Sequence, residues 1–177
     1  MKIEYEWNGL LLVISGGQCG VDQAGLQAAK DAKIETGGWA PKHWKTSVGL
    51  QKEFLKSFNL KEHSGGYKER TYANVKDSDG TIRLASNFSS SGEICTLAAI
   101  NKFKKPHLDI PLLVTPYNTH TKDVQNIIDF IIQNNISILN VAGNSDKIPR
   151  TGFGIHYHES FFILLKAFSI IKELYVH

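Results

Sequence analysis

Apolar residues along the chain follow two alternating rhythms. Short unbroken runs suit strands buried on both faces, and runs with apolar positions every three or four residues suit helices packed on one side. Leu10 to Ile14 predicts a strand, and Val21 to Lys33 a helix with Val21, Leu26, Ala28, Ala29 and Ala32 on its apolar side. Asp22 falls in the first turn of that helix, where a carboxylate meets the positive end of the dipole. A short extended piece at Ile34 to Thr36 leads into the loop GGWAPKHWK. Short helices are expected at Leu50 to Phe58 and Tyr67 to Asp77, then a turn, SDG, and a strand, TIRLAS. SSSGE opens a helix that runs through Phe103 and closes at KKP. IPLLVT at 110–115 predicts a strand, and 121–135 an amphipathic helix carrying Val124, Ile127, Ile128, Ile131 and Ile132. ISILNVAG at 136–143 is the last strand, and Ile155 to Tyr175 the last helix.

This alternation predicts an α/β fold: a Rossmann-like, doubly wound, mostly parallel sheet of about five strands with helices on both faces. Residues 1–177 read as one such domain. After the strands come SGGQCG, GGWAPK, SNFSSSG, TPYNTH and AGNSDKIPRTGFG, all rich in Gly, Ser, Thr and Asn. In an open parallel sheet such loops gather at the carboxyl edge, where these folds bind ligands. The last helix is apolar on almost every side, which predicts a homo-oligomer built through it.

Composition narrows the choice of partner. A content of 42 % hydrophobic and 21 % charged residues is that of an ordinary soluble protein. The net charge of +3 falls short of a nucleic-acid-binding stripe but leaves room for a small anion. Two cysteines, Cys19 and Cys95, make neither a disulfide framework nor a four-ligand zinc site, which suits a reducing cytoplasm. No apolar stretch approaches the ~18 residues of a membrane span, and Glu4 and Glu6 precede the short N-terminal run, so neither a span nor a secretory leader is expected.

The glycines of SGGQCG permit a sharp turn and close approach of backbone N–H groups to a phosphate or carboxylate at a helix start. The loop matches neither the Walker pattern nor G-x-G-x-x-G. SSSGEICT at 89–96 has the same design, the alternative being a helix N-cap by Ser91 with Glu93 as dipole partner. In YKERTYANVKD, Arg70, Asn74 and Asp77 share a helix face. Arg70 could fork onto a phosphate there, or join Asp77 in a solvated network. Lys42, His43 and Lys45 beside Trp39 and Trp44 suit a phosphorylated heterocycle, unless the tryptophans cover the core edge. Cys19 has no base near it in sequence and reads as part of a binding loop, not a nucleophile. His156 and His158 lie two apart, so they diverge on a helix and could share a metal only on a strand or loop.

SGGQCGVDQAGLQAA, TGGWAPK, YKERTYANVKDSDGTI, SSSGEICT and LNVAG occur in the order that resembles the molybdenum cofactor carrier family, a circularly permuted branch of the Rossmann-like SLOG superfamily. The likeness covers about residues 10 to 170. It implies an oligomeric doubly wound sheet with a pocket at the glycine loops, and a more distant relation to the lonely guy phosphoribohydrolases, which cleave nucleoside monophosphates. By position, the resemblance adds Gly37 and Pro41 to the second loop and Asp77, Asp79 and Gly80 to the third. Three positions depart from the family pattern: Cys19 replaces a Thr, HWKTS a Gly-Arg-rich run, and Ser91-Gly92-Glu93 a Gly-Gly-Thr. Thr96 stands where the hydrolases carry a Glu, which argues against the same hydrolysis.

The expected ligand is a small phosphorylated heterocycle, either a nucleotide or the molybdenum cofactor (molybdopterin), carried without a directly bound metal. Contacts are expected from Gly16, Gly17, Gln18, Cys19, Gly20 and Asp22, from Gly38 and Lys42, from Arg70, Thr71 and Asn74, and from Ser90, Ser91, Gly92 and Gly143. Two alternatives stay open. One is N-glycosidic hydrolysis of a nucleoside monophosphate with Glu93 as acid or base; the other is a sensor or sequestering protein for a nucleotide second messenger.

Overall fold

The computed structural model describes residues 7–112, 120–146 and 154–175. Its elements are β1 (Leu12–Ser15), α1 (Val21–Asp31), β2 (Glu35–Gly37), β3 (Trp39–Ala40), a 3-10 turn (Lys42–Trp44), β4 (Lys45–Thr46), β5 (Gly49–Leu50), α2 (Lys52–Lys56), β6 (Lys61–Glu62), α3 (Tyr67–Asp77), β7 (Gly80–Ala85), α4 (Ser91–Phe103), β8 (His107–Pro111), α5 (Thr121–Gln133), β9 (Ile138–Gly143) and α6 (Ile155–Leu174). Five strands form a sheet in the order β2-β1-β9-β7-β8. Every pairing in it is parallel, with Ser15 and Ile82 both in register with Val141. The chain therefore has the expected Rossmann-like α/β fold.

The order explains where a site can form. Counted from β7 as first strand, the sheet reads 5-4-3-1-2, the mirror listing of the doubly wound order 2-1-3-4-5. Its topological switch point lies between β7 and β9, whose carboxyl ends lead to α4 and α6. Helices α1 and α5 each pack on α6, and α3 packs on α4. The larger core joins Val13, Ile82, Leu84 and Val141 of the sheet to Ala28 and Ala29 of α1, Ile127 and Ile131 of α5, and Leu164 and Phe168 of α6. Val75, Ala99 and Ile100 make a smaller core between α3 and α4.

Several boundaries move. β1 begins at Leu12, two residues late, and Leu11 is half exposed. The helix expected at Leu50 to Phe58 shrinks to Lys52–Lys56, because Leu50 pairs with Lys45 in the β4–β5 ribbon. The strand expected at 110–115 is β8 at His107–Pro111; residues 113–115 lie outside the described residues, as do most of TPYNTH and the stretch 147–153. β8 is an edge strand in which only Ile110 is fully buried, so its apolar signal is weak before that residue. The last strand starts at Ile138, and Ser90, not Ser91, caps α4 by accepting from the Glu93 N–H. Among the described residues no helix is long and apolar enough to cross a membrane.

Candidate functional site

A cleft of about 550 Å³ opens at the carboxyl edge, beside the switch point. β9 and the residues after it supply Asn140 to Ser145, α3 supplies Tyr67, Lys68, Arg70, Thr71 and Asn74, and the start of α4 supplies Ser90 to Glu93, Cys95 and Thr96. Gly16, Gln18 and Asp22 complete it. Of the residues expected at the site, the cleft brings together Gly16, Gln18, Asp22, Arg70, Thr71, Asn74, Ser90, Ser91, Gly92, Glu93 and Gly143. Gly17, Cys19, Gly20, Gly38 and Lys42 are not among its lining residues.

Arg70 is the cation of this cleft with the most constrained geometry. Its guanidinium lies across Gly16, where any Cβ would fall 1.2 Å from Nη1. That nitrogen donates to Asp22 Oδ2 at 3.2 Å, while the buried Nε has no partner. The sequence allowed an Arg70–Asp77 network; instead Asp77 accepts from the Trp39 indole at 2.8 Å. Asp22 also accepts from the Gln18 N–H at 3.2 Å. Burial nonetheless pushes its carboxyl above the usual range, outweighing Arg70 and the Gln18 N–H. Asn74 has a structural task besides: its amide accepts from the Trp39 N–H at 2.8 Å and donates to the Trp39 carbonyl at 3.1 Å, holding β3 like a strand partner.

Glu93 is buried at the first turn of α4, and its Oε2 has no hydrogen-bond partner. Arg83 Nη1 lies 3.7 Å from that oxygen. The guanidinium is held elsewhere, forking onto Asp109 and donating to the Glu93 carbonyl at 3.0 Å. Burial raises the Glu93 carboxyl to about 7, opposed by Arg83 and assisted by the charges of Asp22 and Asp109. At that value the neutral and ionised forms are both populated near neutral pH. At the helix N-terminus beside it, the N–H groups of Ser91 and Gly92 have no acceptor among the described residues.

The glycine loop after β1 is arranged differently. Its Gln18 N–H goes to Asp22, its Cys19 N–H to the Gln18 side chain at 3.1 Å, and Val21 N–H to the Asn144 carbonyl at 3.3 Å. Cys19 is buried beside Gln51 and Gln23, with no base in contact. In the WAPKHW loop, Trp44 enters the small core of Leu26, Leu55, Phe58 and Leu60, and its indole donates to Glu62 at 3.1 Å. Trp44 thus covers a core edge, whereas Trp39 is half-buried with its ring against His63, and Lys42 is exposed and not part of the cleft lining. His156 and His158 both lie on α6 and diverge; among the described residues no three His, Cys, Asp or Glu side chains could hold a metal. Asp79, implied by resemblance, accepts from the N–H groups of Ser137 and Ile138 and fixes the entry to β9.

Sequence reasoning missed Tyr67, Lys68, Cys95, Thr96, Asn140, Val141, Ala142, Asn144 and Ser145 in the lining. Two signals were present. Asn140 interrupts the apolar run of ILNVAG, and Arg83 is a charge inside a strand buried along its whole length. A buried charge requires partners, so Arg83 points to Asp109 and Glu93.

Comparison with known families decides the relationship. The model of the circularly permutated YpsA SLOG family matches residues 13–151. The chain belongs to that family. A crystal structure of the protein named "Putative molybdenum carrier protein", from Syntrophus aciditrophicus SB, superposes on this SLOG-family chain with a TM-score of 0.69 at 26 % identity, covering 96 % of each chain. No curated protein matches significantly. The permutation named for the SLOG family agrees with the strand order: β9, late in the chain, sits between β1 and β7.

Proposed function

We propose that the chain is a carrier-type binding protein whose cleft takes a small phosphorylated heterocycle, of the molybdopterin or nucleotide class. Family membership and the molybdenum-carrier name of the similar structure support the carrier reading. The observation that carries it is local: the unpaired Ser91 and Gly92 N–H groups and the unpartnered Arg70 Nε all belong to the lining of one cleft of ligand size. A phosphate placed at the start of α4 would meet the helix dipole, two N–H donors and the Ser90 hydroxyl, with Arg70 and Lys68 as cations. This donor set fits the phosphate end of a molybdopterin. A cytoplasmic, homo-oligomeric protein with its exposed Phe162 on α6 at a subunit contact completes the proposal.

The test is mass spectrometry of what copurifies with the folded protein, followed by calorimetry with that compound. Arg70→Ala should weaken binding about 10- to 100-fold, as expected for loss of a charge-assisted hydrogen bond. Unchanged affinity would remove Arg70 from the site. A copurifying dinucleotide would instead favour the sensor reading.

One observation favours a second reading. Glu93, with its carboxyl raised to about 7 and an oxygen that accepts no hydrogen bond at the cleft, is suited to general acid catalysis on a nucleoside monophosphate. Incubation with mononucleotides that releases free base, and stops doing so in Glu93→Gln, would establish hydrolysis.

A further inference from the structure

Ser86 directly follows β7 at the carboxyl edge, and its exposed hydroxyl lies 2.8 Å from His156 Nε2. On the other side of the ring, Nδ1 lies 2.8 Å from Asp146 Oδ1. Asp146 is buried and held by the first N–H groups of α6, accepting from His156 at 3.3 Å and from Tyr157 at 2.9 Å. Its seat is shaped by Gly154, where a Cβ would fall 2.2 Å from the carboxylate carbon. A carboxylate can only accept, so Nδ1 carries the ring proton and Nε2 is left to take the proton of the Ser86 hydroxyl. Nucleophile, base and orienting acid are thus in hydrogen-bonded sequence.

The electrophile's place is also marked. The N–H groups of Ser86 and Asn87 converge on one oxygen, Asn144 Oδ1, at 3.0 and 2.9 Å, and the Ser86 hydroxyl lies 3.3 Å from the same atom. Asn144 therefore presents an amide carbonyl where a reacting carbonyl would sit, with two backbone donors on its oxygen and a hydroxyl beside it. Among the described residues no Lys or Arg hydrogen-bonds to Ser86, His156, Asp146 or Asn144, and the Asp146 charge would repel a phosphate dianion. The arrangement suits an uncharged carbonyl.

We propose that Ser86, His156 and Asp146 form a second, hydrolytic site for small acyl esters, with Asn144 occupying the carbonyl position until substrate displaces it. Ser86 Oγ forms a bond to the ester carbon as its proton passes to His156 Nε2, and the oxyanion rests on the Ser86 and Asn87 N–H groups. The carbon–alkoxy bond then breaks, and the alcohol leaves with the proton from His156. Water, deprotonated by His156, cleaves the acyl-serine to a carboxylic acid and restores the hydroxyl. The site shares Asn144 with the phosphate cleft, where the same amide donates to Ser90 Oγ at 3.4 Å, but labelling of Ser86 needs no cleft ligand and is read separately from the carrier reading.

The full-length protein is treated with a fluorophosphonate probe and the adduct mapped by peptide mass spectrometry, with circular dichroism on every variant. Wild type should be labelled on Ser86, and Asn144→Ala, which vacates the carbonyl position, about 10-fold faster. Ser86→Ala should take no label, and His156→Gln should label at least about 100-fold more slowly. The wild type, which needs no substitution to fold, should also give an initial burst with p-nitrophenyl acetate. Absence of both label and burst in folded wild type, or labelling as fast in His156→Gln, overturns the proposal.

Discussion

Two glycine-bearing loops enter helices at the same edge of the sheet, and they use glycine for opposite ends. After β1, Gly16 makes way for Arg70, Gly17 for Leu55 and Leu60, and Gly20 for the backbone of Asn144 and Asp146, while neighbouring N–H groups are capped from within. At the start of α4, nothing lies within 4 Å of a Cβ on Gly92, and the N–H groups beside it have no internal acceptor. The first loop is a packing device that seats a cation; the second is the open one. Glycine content alone does not separate the two, whereas the fate of the N–H groups does.

The sharpest way to break this contrast is substitution of the glycines themselves. Gly20→Ala places a Cβ 2.6 Å from the Asn144 carbonyl oxygen at a φ of +96°, so chemical denaturation should show a loss of about 3 kcal/mol. A smaller effect is expected from the carboxylate under the open loop. The Glu93 carboxyl is raised from 4.5 to about 7, so the native state favours its protonated form and loses stability as pH rises between those values. Glu93→Gln removes that titration. Relative to wild type it should gain on the order of 2 kcal/mol between pH 4.5 and 8, measured as the difference in denaturation midpoint. A parallel pH dependence in both proteins would contradict the burial assigned to Glu93.

Gly92→Ala sharpens the comparison from the other side. Without steric opposition it should leave the fold unchanged or more stable by up to about 1 kcal/mol, yet weaken ligand binding several-fold by calorimetry. A glycine kept only for packing would give the reverse. The smallest effect belongs to Lys42→Ala: an exposed side chain outside the cleft should change affinity less than about twofold, whatever the family pattern suggests.

Much of the frame was readable from periodicity. α3 at Tyr67–Asp77 and the α4 end at Phe103 lie where spacing and capping residues put them. The short strands β3 to β6 were invisible because two residues carry no period, and the start of β8 at His107 was missed because an edge strand shows a weak apolar signal. The cleft was readable as a convergence of loops, but its polarity was not. Nothing near Glu93 in sequence announces that Arg83 turns to Asp109 and leaves a carboxylate oxygen without a hydrogen bond. Ser86, Asp146 and His156 come from three segments, and only the β7–β9 pairing and the start of α6 bring them into line.

The central position of β9 also governs the birth of the molecule. Ribosomal synthesis delivers β1, β2, β7 and β8 first, as two separate parallel pairs, each with an inner edge exposing unpaired backbone. Only when β9 emerges can one strand bond to β1 on one side and β7 on the other and join the pairs. Until β9 is made, the inner edges of β1 and β7 have no strand to pair with, the condition in which edge-to-edge association competes with folding.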